Sequence, residues 1–416
     1  MKKILYGLQL SAVDKTGKFL LDKDSNFNFC KSMIKTFEKY YKGKYHHYVI
    51  LPEYGCLFSD IESNNIDCVY HLDYYTNKVF SSRYHWNSNV ARTILNKVKP
   101  DIIWENNPTL VNNWKTLLLE EGLIDKVKIV SYNHWPHNTE YPKIDQRCSY
   151  LYRQVEAIHL SDITLCNTDF VKQQLIDSIN ELENINLEIT GCSYIQSIAP
   201  IIDCEKIEKY NCKKREDIIK IIYPHRLSSI SYYKDAFDNF IYALNKLKER
   251  KLNKKVEVIL TDASGKIKDR KDIKFKDSKN IKLILKNNMN REQYYKELND
   301  SHICVASFRQ GNGGGFSMSL LEAIFANNAC LIPSHSGYRY MAPDKFNGWI
   351  FDICTQLQLL INDNDIYNKN VKDLKEYYKD YNIKIIKKLD KIFNSKKQKA
   401  CYKRREKRME DLYLWI

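Results

Sequence analysis

Glycine and proline are scarce in this chain, with 13 and 9 residues among 416. That excludes collagen-like and low-complexity architectures and makes any local concentration of glycine informative. Cysteine is better represented, at 12, yet there is no CxxC pair and no His/Cys cluster at zinc spacing. A zinc ribbon or finger is therefore excluded, and the thiols read as buried and reduced. Long apolar runs are also missing: nothing approaches the ~18 uninterrupted apolar residues of a membrane span. Met1-Lys2-Lys3 followed by Ile4–Leu8 is too short and polar-flanked for a signal peptide and suits a first buried strand, so a cytoplasmic protein is expected.

What is present is a globular composition with an excess of cations. The length suggests two to three domains, and 44% hydrophobic with 28% charged residues is ordinary for folded chains. Lys plus Arg number 66 against 51 Asp plus Glu, a net charge of +15. That balance favours a polyanionic partner, nucleic acid or an acidic membrane surface, and says nothing about fold. The heavy use of Lys, Ile, Asn and Tyr equally fits an AT-rich gene. Basic residues cluster at 246–255, 266–279 and 396–408, and Tyr40-Tyr41 stands among Lys39, Lys42 and Lys44.

Short apolar runs alternate with helix-length segments, which indicates βαβ units and mainly parallel sheets. The first series is Lys3–Leu8, Tyr48–Leu51, Cys68–Leu72, Asp101–Trp104, Val127–Tyr132, Ile163–Cys166 and Leu187–Ile189. The second is Ile218–Tyr223, Val256–Leu260, Ile281–Leu285, Ile303–Ala306 and Cys330–Pro333. Phe237, Phe240, Ile241, Leu244 and Leu247 recur at helical spacing and mark one crossover helix; Tyr294, Tyr295 and Leu298, then Leu320, Leu321, Ile324 and Phe325, mark two more. The polar stretch Cys204–Asp217 reads as a linker. The expected division is an N-terminal domain over 1–205, a second over 206–385, and a basic C-terminal helix over 386–416.

The densest chemistry lies between Phe308 and Ala323, where Gly311, Gly313, Gly314 and Gly315 follow a strand and open into an amphipathic helix. Glycines let a backbone approach a phosphate, and the free N–H groups and dipole of a helix's first turn stabilise negative charge. No Gly-Lys-Ser/Thr follows, so this is not a Walker loop. No Asp-x-Asp stands at a plausible metal site: Asp22-Lys23-Asp24 reads as a polar turn and Asp363-Asn364-Asp365 as a helix cap.

Gly314-Gly315-Phe316-Ser317, Leu320-Leu321-Glu322-Ala323, the small turn Asn327-Asn328-Ala329 and the loop Ser336-Gly337-Tyr338 together resemble the donor-site motif of retaining GT-B glycosyltransferases, the family 4-like group of glycogen and sucrose synthases. Ile221–Tyr223 with Pro224-His225-Arg226-Leu227 and Lys234-Asp235 is similar to that family's strand, Gly-Arg-Leu and Lys-Gly signature. The resemblance spans about residues 218–350. It implies two Rossmann-like α/β domains facing across a cleft, with a C-terminal helix crossing back. It also implies a nucleoside-diphosphate sugar as donor, UDP-glucose or similar, and no required metal. Arg226 and Lys234 would stabilise the leaving diphosphate, and the turn at Asn288-Met289 would contact the base. Gly314, Gly315, Phe316 and Ser317 would hold the diphosphate and sugar, and Glu322 the ribose. The motif's first glutamate falls on Gly314 here.

The N-terminal half would carry the acceptor. His134, in Tyr132-Asn133-His134-Trp135 after a strand, corresponds to a His near the donor sugar, and Gly17 and Lys18 to a glycine loop facing the donor. Some phage enzymes of this fold glycosylate hydroxymethylated bases, and the chain is similar to them in length and basic charge. Double-stranded DNA with modified bases is thus the expected acceptor, in a host cytoplasm. A lipopolysaccharide, polysaccharide or lipid-linked acceptor at an anionic membrane surface is the alternative, and a nucleic-acid-binding module on an inactive scaffold is a third reading.

Overall fold

A computed structural model describes residues 1–10, 12, 16, 18–52, 58–71, 87–134, 145–183, 194–225, 227, 231–262, 273–287, 289–309 and 316–396. The chain divides into two compact units: Met1–Ile201 with the described residues from Asn382 onward, and Ile202–Tyr381.

The first unit is built on strands β1 (Lys2–Gly7), β2 (Tyr45–Leu51), β3 (Ile66–Tyr70), β4 (Ile102–Glu105), β5 (Lys128–Asn133), β6 (Ile163–Cys166) and β7 (Ile195–Ser197). They form one parallel sheet in the order β3-β2-β1-β4-β5-β6-β7. Its helices are α1 (Ser25–Tyr40), α2 (Ser88–Val98), α3 (Val111–Glu120), α4 (Asp145–Leu160) and α5 (Asp169–Glu183). β4, β5 and β6 are buried along their whole length, as expected of parallel strands covered on both faces. The run at Leu187–Ile189 lies outside the described residues, and β7, three residues long, was not expected.

The second unit follows with α6 (Cys204–Glu208), β8 (Ile218–Tyr223), α7 (Ser231–Leu247), β9 (Lys255–Asp262), β10 (Ile281–Asn287), α8 (Arg291–Asp300), β11 (Ile303–Val305), α9 (Met318–Phe325), β12 (Ala329–Leu331), α10 (Ile353–Asn362) and α11 (Asn364–Tyr377). Its five strands are also all parallel, in the order β10-β9-β8-β11-β12. The stretch expected to link the domains begins as α6, whose Ile207 is fully buried. Cys212, just beyond it, is exposed, while Cys68 and Cys204 are half-buried. These three depart from the expected burial: Cys212 lies in a polar connecting segment, Cys68 on the edge strand β3, and Cys204 packs against the core only in part.

The last described helix, α12 (Tyr381–Asn394), returns to the first unit. Phe393 is 1% exposed, stacks on Phe37 at 5.4 Å and meets the Tyr45 and Trp104 rings edge-on. Lys2 Nζ donates to the Phe393 carbonyl and Lys128 Nζ to that of Ile392, both at 3.0 Å. These cations sit where the helix's C-terminal carbonyls lack partners. Among the described residues no helix is long and apolar enough to cross a membrane.

Candidate functional site

In the second unit the sheet order reverses between β8 and β11, since β9 and β10 lie on one side and β12 on the other. The crevice outside the carboxyl ends of such strands is where doubly wound sheets bind ligands. The two sequence motifs converge on this edge. His225, just after β8, meets Phe308, just after β11, with ring centroids 4.9 Å apart. His225 Nδ1 also lies 3.3 Å from Ser319 Oγ in the first turn of α9, and Ser319 Oγ lies 3.2 Å from Ser317 Oγ.

Ser317 is the N-cap of α9: in extended conformation (φ −109°, ψ 108°), its hydroxyl accepts from Leu320 N at 3.2 Å. The cap satisfies one of the helix's open N–H groups and leaves others to face a ligand. Phe316 is half-buried beside it, packed against the core.

Glu322, farther along α9, is 3% exposed. Its carboxylate pairs with the Arg291 guanidinium at the start of α8 and accepts from Tyr295 OH at 3.4 Å. Arg291 Nε in turn donates to Tyr295 OH at 3.1 Å, and the guanidinium lies 5.0 Å from the Tyr295 ring centre. Asn290 anchors α8 through a reciprocal capping box with Gln293. Burial raises the Glu322 carboxyl above its ordinary pKa, and Arg291 and the tyrosine hydroxyls oppose this without cancelling it. Burial pulls the Arg291 guanidinium down, but the Glu322 charge together with Tyr295 and Tyr294 outweighs it, and the group stays above its ordinary value. Met289 is half-buried in the turn just before α8.

Lys234 stands in the first turn of α7, exposed and paired with Asp238 at 3.2 Å. Arg226, Gly17, Asn288, Gly314 and Gly315 lie outside the described residues. Ser317 thus caps the helix that carries Glu322, with Phe316 just before the cap. Arg291 and His225 were not among the residues expected from sequence. His225 is 5% exposed, and burial holds its ring down at about 4, with the Val305 carbonyl acting weakly the other way. Its signal was adjacency to Arg226; Arg291 carried none beyond following the Asn-Met turn.

His134 and Lys18 belong to the first unit. Lys18 is exposed. His134 follows β5, its ring 4.7 Å from Tyr132 and 5.9 Å from Phe29, its carbonyl accepting from Asn167 Nδ2 at 3.0 Å. Burial lowers the His134 ring to about 4, so it is neutral near pH 7. At the same edge, Glu105 accepts from Trp114 Nε1 and from Asn107 N, both at 2.8 Å. A Cβ on Gly7, at the end of β1, would come within 2.4 Å of Glu105 Oε2, so a larger residue here would push the carboxylate off Trp114.

Two parallel doubly wound units, the first completed by the chain's last described helix, make this a GT-B fold. It is similar to a sucrose-phosphate synthase from Thermosynechococcus elongatus, with a TM-score of 0.65 at 10% identity over 94% of this chain and 98% of that one. An E. coli trehalose-6-phosphate structure bound with UDP-2-fluoro glucose gives 0.63 at 10% identity over 94% and 99%. The lipopolysaccharide outer core galactosyltransferase WaaB, in its apo form, gives 0.54 at 17% identity over 93% and 100%. At these identities the likeness is one of fold. No family model matches the chain, and no curated protein matches its sequence.

Proposed function

We propose that the chain is a glycosyltransferase that moves a sugar from a nucleoside-diphosphate donor, a uridine nucleotide such as UDP-glucose, to a hydroxyl acceptor with retention at the anomeric carbon. Glu322 carries the reading. A carboxylate kept buried by Arg291 and Tyr295, on a helix that opens at the ligand-binding edge of a doubly wound sheet, suits a pair of ribose hydroxyls. The UDP-2-fluoro glucose bound in the similar E. coli structure supports the donor class.

In this reading the N-terminus of α9 and the backbone of Gly314–Ser317 take the diphosphate. Arg226 and Lys234 neutralise the charge that develops as it leaves, Lys234 exchanging Asp238 for phosphate. Asn288 and Met289 contact the base. His134, with Gly17 and Lys18, faces the donor sugar. The charge of +15 supports duplex DNA with hydroxymethylated bases as acceptor; the likeness to a lipopolysaccharide galactosyltransferase supports instead a saccharide or lipid-linked acceptor.

The test is radiolabelled UDP-glucose offered with hydroxymethylated duplex, unmodified duplex or lipopolysaccharide. Transfer to the modified duplex alone supports the DNA reading; transfer to the glycan alone replaces it and keeps the transferase. If no acceptor is labelled and no UDP-glucose is consumed while duplex is still bound, the chain is a nucleic-acid-binding module on an inactive scaffold.

A further inference from the structure

The second unit holds an open cavity of about 510 Å³, lined by Lys214, Lys372 and Lys375 together with Asn327, Tyr367 and Glu376. Asn327 lies between the end of α9 and the start of β12, at the side of the sheet where its parallel strands begin. The candidate donor edge is where they end. The eight residues of α9, ~12 Å at 1.5 Å per residue, stand between the two.

Three segments build the cavity and fix its cations. α9 closes in a Schellman turn: Asn327 takes the left-handed conformation (φ 59°), its N–H donating to the Ile324 carbonyl at 3.0 Å and that of Asn328 to the Ala323 carbonyl at 3.1 Å. Lys214, half-buried in the polar stretch before β8, donates to the Asn327 carbonyl at 2.7 Å and to Asn328 Oδ1 at 3.1 Å. An ammonium has three N–H groups, so one remains for the cavity. α11 brings the other two lysines, and the buried Asn370 ties it to β12: its Oδ1 accepts from Cys330 N at 2.8 Å and its Nδ2 donates to the Cys330 carbonyl at 3.2 Å. Lys369 on the same helix pairs with Asp373 at 2.6 Å, whereas among the described residues Lys214, Lys372 and Lys375 are in no ion pair. Burial lowers the Lys214 amine to about 7; Cys330 and Cys212 oppose this in part, and the Lys375 charge adds to it. An anion placed among the three lysines would relieve that repulsion.

We propose that this cavity binds a small phosphate monoester, its phosphate among Lys214, Lys372 and Lys375 and its organic body against Tyr367. Three cations less the Glu376 carboxylate match a monoester, which carries close to two negative charges at neutral pH. The volume falls in the range of small-molecule sites and exceeds what a bare phosphate fills. Tyr367 and Val371, both packed on the core, give the organic part an apolar wall. A duplex offers a single charge at each phosphate, on a surface too broad to enter the cavity. The site stands whether or not the chain transfers sugars.

Calorimetry of the full chain with ribose 5-phosphate, inorganic phosphate and ribose compares wild type with Lys372→Gln/Lys375→Gln, each checked by a ligand-free melting curve. Both lysines are exposed, so the double variant should melt with wild type. Ribose 5-phosphate should bind wild type more tightly than either control, and the double variant should lose at least about tenfold of that affinity. Acylation of amines at pH 7, read by peptide mass spectrometry, locates the ligand: saturating ribose 5-phosphate should slow labelling of Lys214 at least about fivefold, because it both covers the amine and favours its charged form. Labelling uses wild type alone and so decides independently of how the variant folds. Equal affinity of the two proteins for ribose 5-phosphate, or Lys214 labelling that it leaves unchanged, overturns the site. Inorganic phosphate or ribose binding as tightly as the ester overturns it too. Protection of Lys214 by a DNA duplex and not by ribose 5-phosphate would assign the cavity to a nucleic-acid backbone and equally refute the small ligand.

Discussion

Arg291 and Glu322 are 31 positions apart and depend on each other. Glu322 is buried and Arg291 half-buried, so removing the cation leaves the carboxylate uncompensated, at a cost of up to about 3–5 kcal/mol. Arg291→Met should therefore shift the denaturant midpoint strongly. The double variant Arg291→Met/Glu322→Leu should recover most of that loss, because no lone charge remains. It should not recover UDP affinity, which calorimetry would read; normal UDP binding in the double variant would remove Glu322 from the donor site. Arg226→Ala and Lys234→Ala should each slow sugar transfer by about 100-fold, the usual loss when a fixed group facing developing charge is deleted. His225 adds a pH dependence. Its ring sits at about 4 in the folded chain against an ordinary value of 6.5, so the unfolded state binds the proton more readily. The stability held by the neutral ring is complete above about pH 6.5 and is lost as pH falls toward 4, by up to roughly 3 kcal/mol. Denaturant curves at pH 7, 5.5 and 4.5 should show a shallower decline for His225→Asn than for wild type; parallel declines would exclude the effect.

Among the elements, the cap of α11 was legible in sequence, whereas Asp24, read only as part of a polar turn, caps α1. Asp363 accepts from Asp365 N and Ile366 N at the start of α11, as its Asp-Asn-Asp turn suggested. Ser317→Ala should remove the cap of α9 and cost about 1 kcal/mol in thermal unfolding. With the cap goes the hydroxyl beside Ser319, so UDP affinity should fall as well. The strands were legible because parallel strands buried on both faces read as continuous apolar runs; β7, only Ile195–Ser197, is too short for any pattern to stand out. Around the site, the glycine-rich run, Ser317 and Glu322 could be read locally. The partners of Glu322 and the gathering of Lys214, Lys372 and Lys375 could not, because they arise where separate elements meet. Tyr40 and Tyr41, among their lysines, offered a nucleic-acid reading, yet Lys39 lies over the Tyr40 ring at 5.5 Å and Lys44 over Tyr41 at 4.9 Å. Part of that aromatic and basic alternation is used within the chain.

For the molecule as a whole, the charge excess makes a prediction of its own. If duplex DNA is the acceptor, the logarithm of affinity should fall by roughly 0.9 per neutralised phosphate for each tenfold rise in salt. Titration from about 50 to 200 mM salt measures this, and a flat profile would argue for a glycan. The return of α12 to the first unit also orders events during synthesis. The first unit is begun first and finished last, since Phe393 and the carbonyls that Lys2 and Lys128 reach emerge only after all of Ile202–Tyr381. At about 5–20 residues per second the ribosome spends roughly 10–40 s on that interval. Through it the nascent sheet of the first unit waits with Phe37, Tyr45 and Trp104 uncovered on the side α12 will take, while the second unit, continuous in sequence, can close on its own. A message cut short before α12 would release one finished unit and one unfinished one, and α12 supplied later as a separate peptide would be expected to complete it.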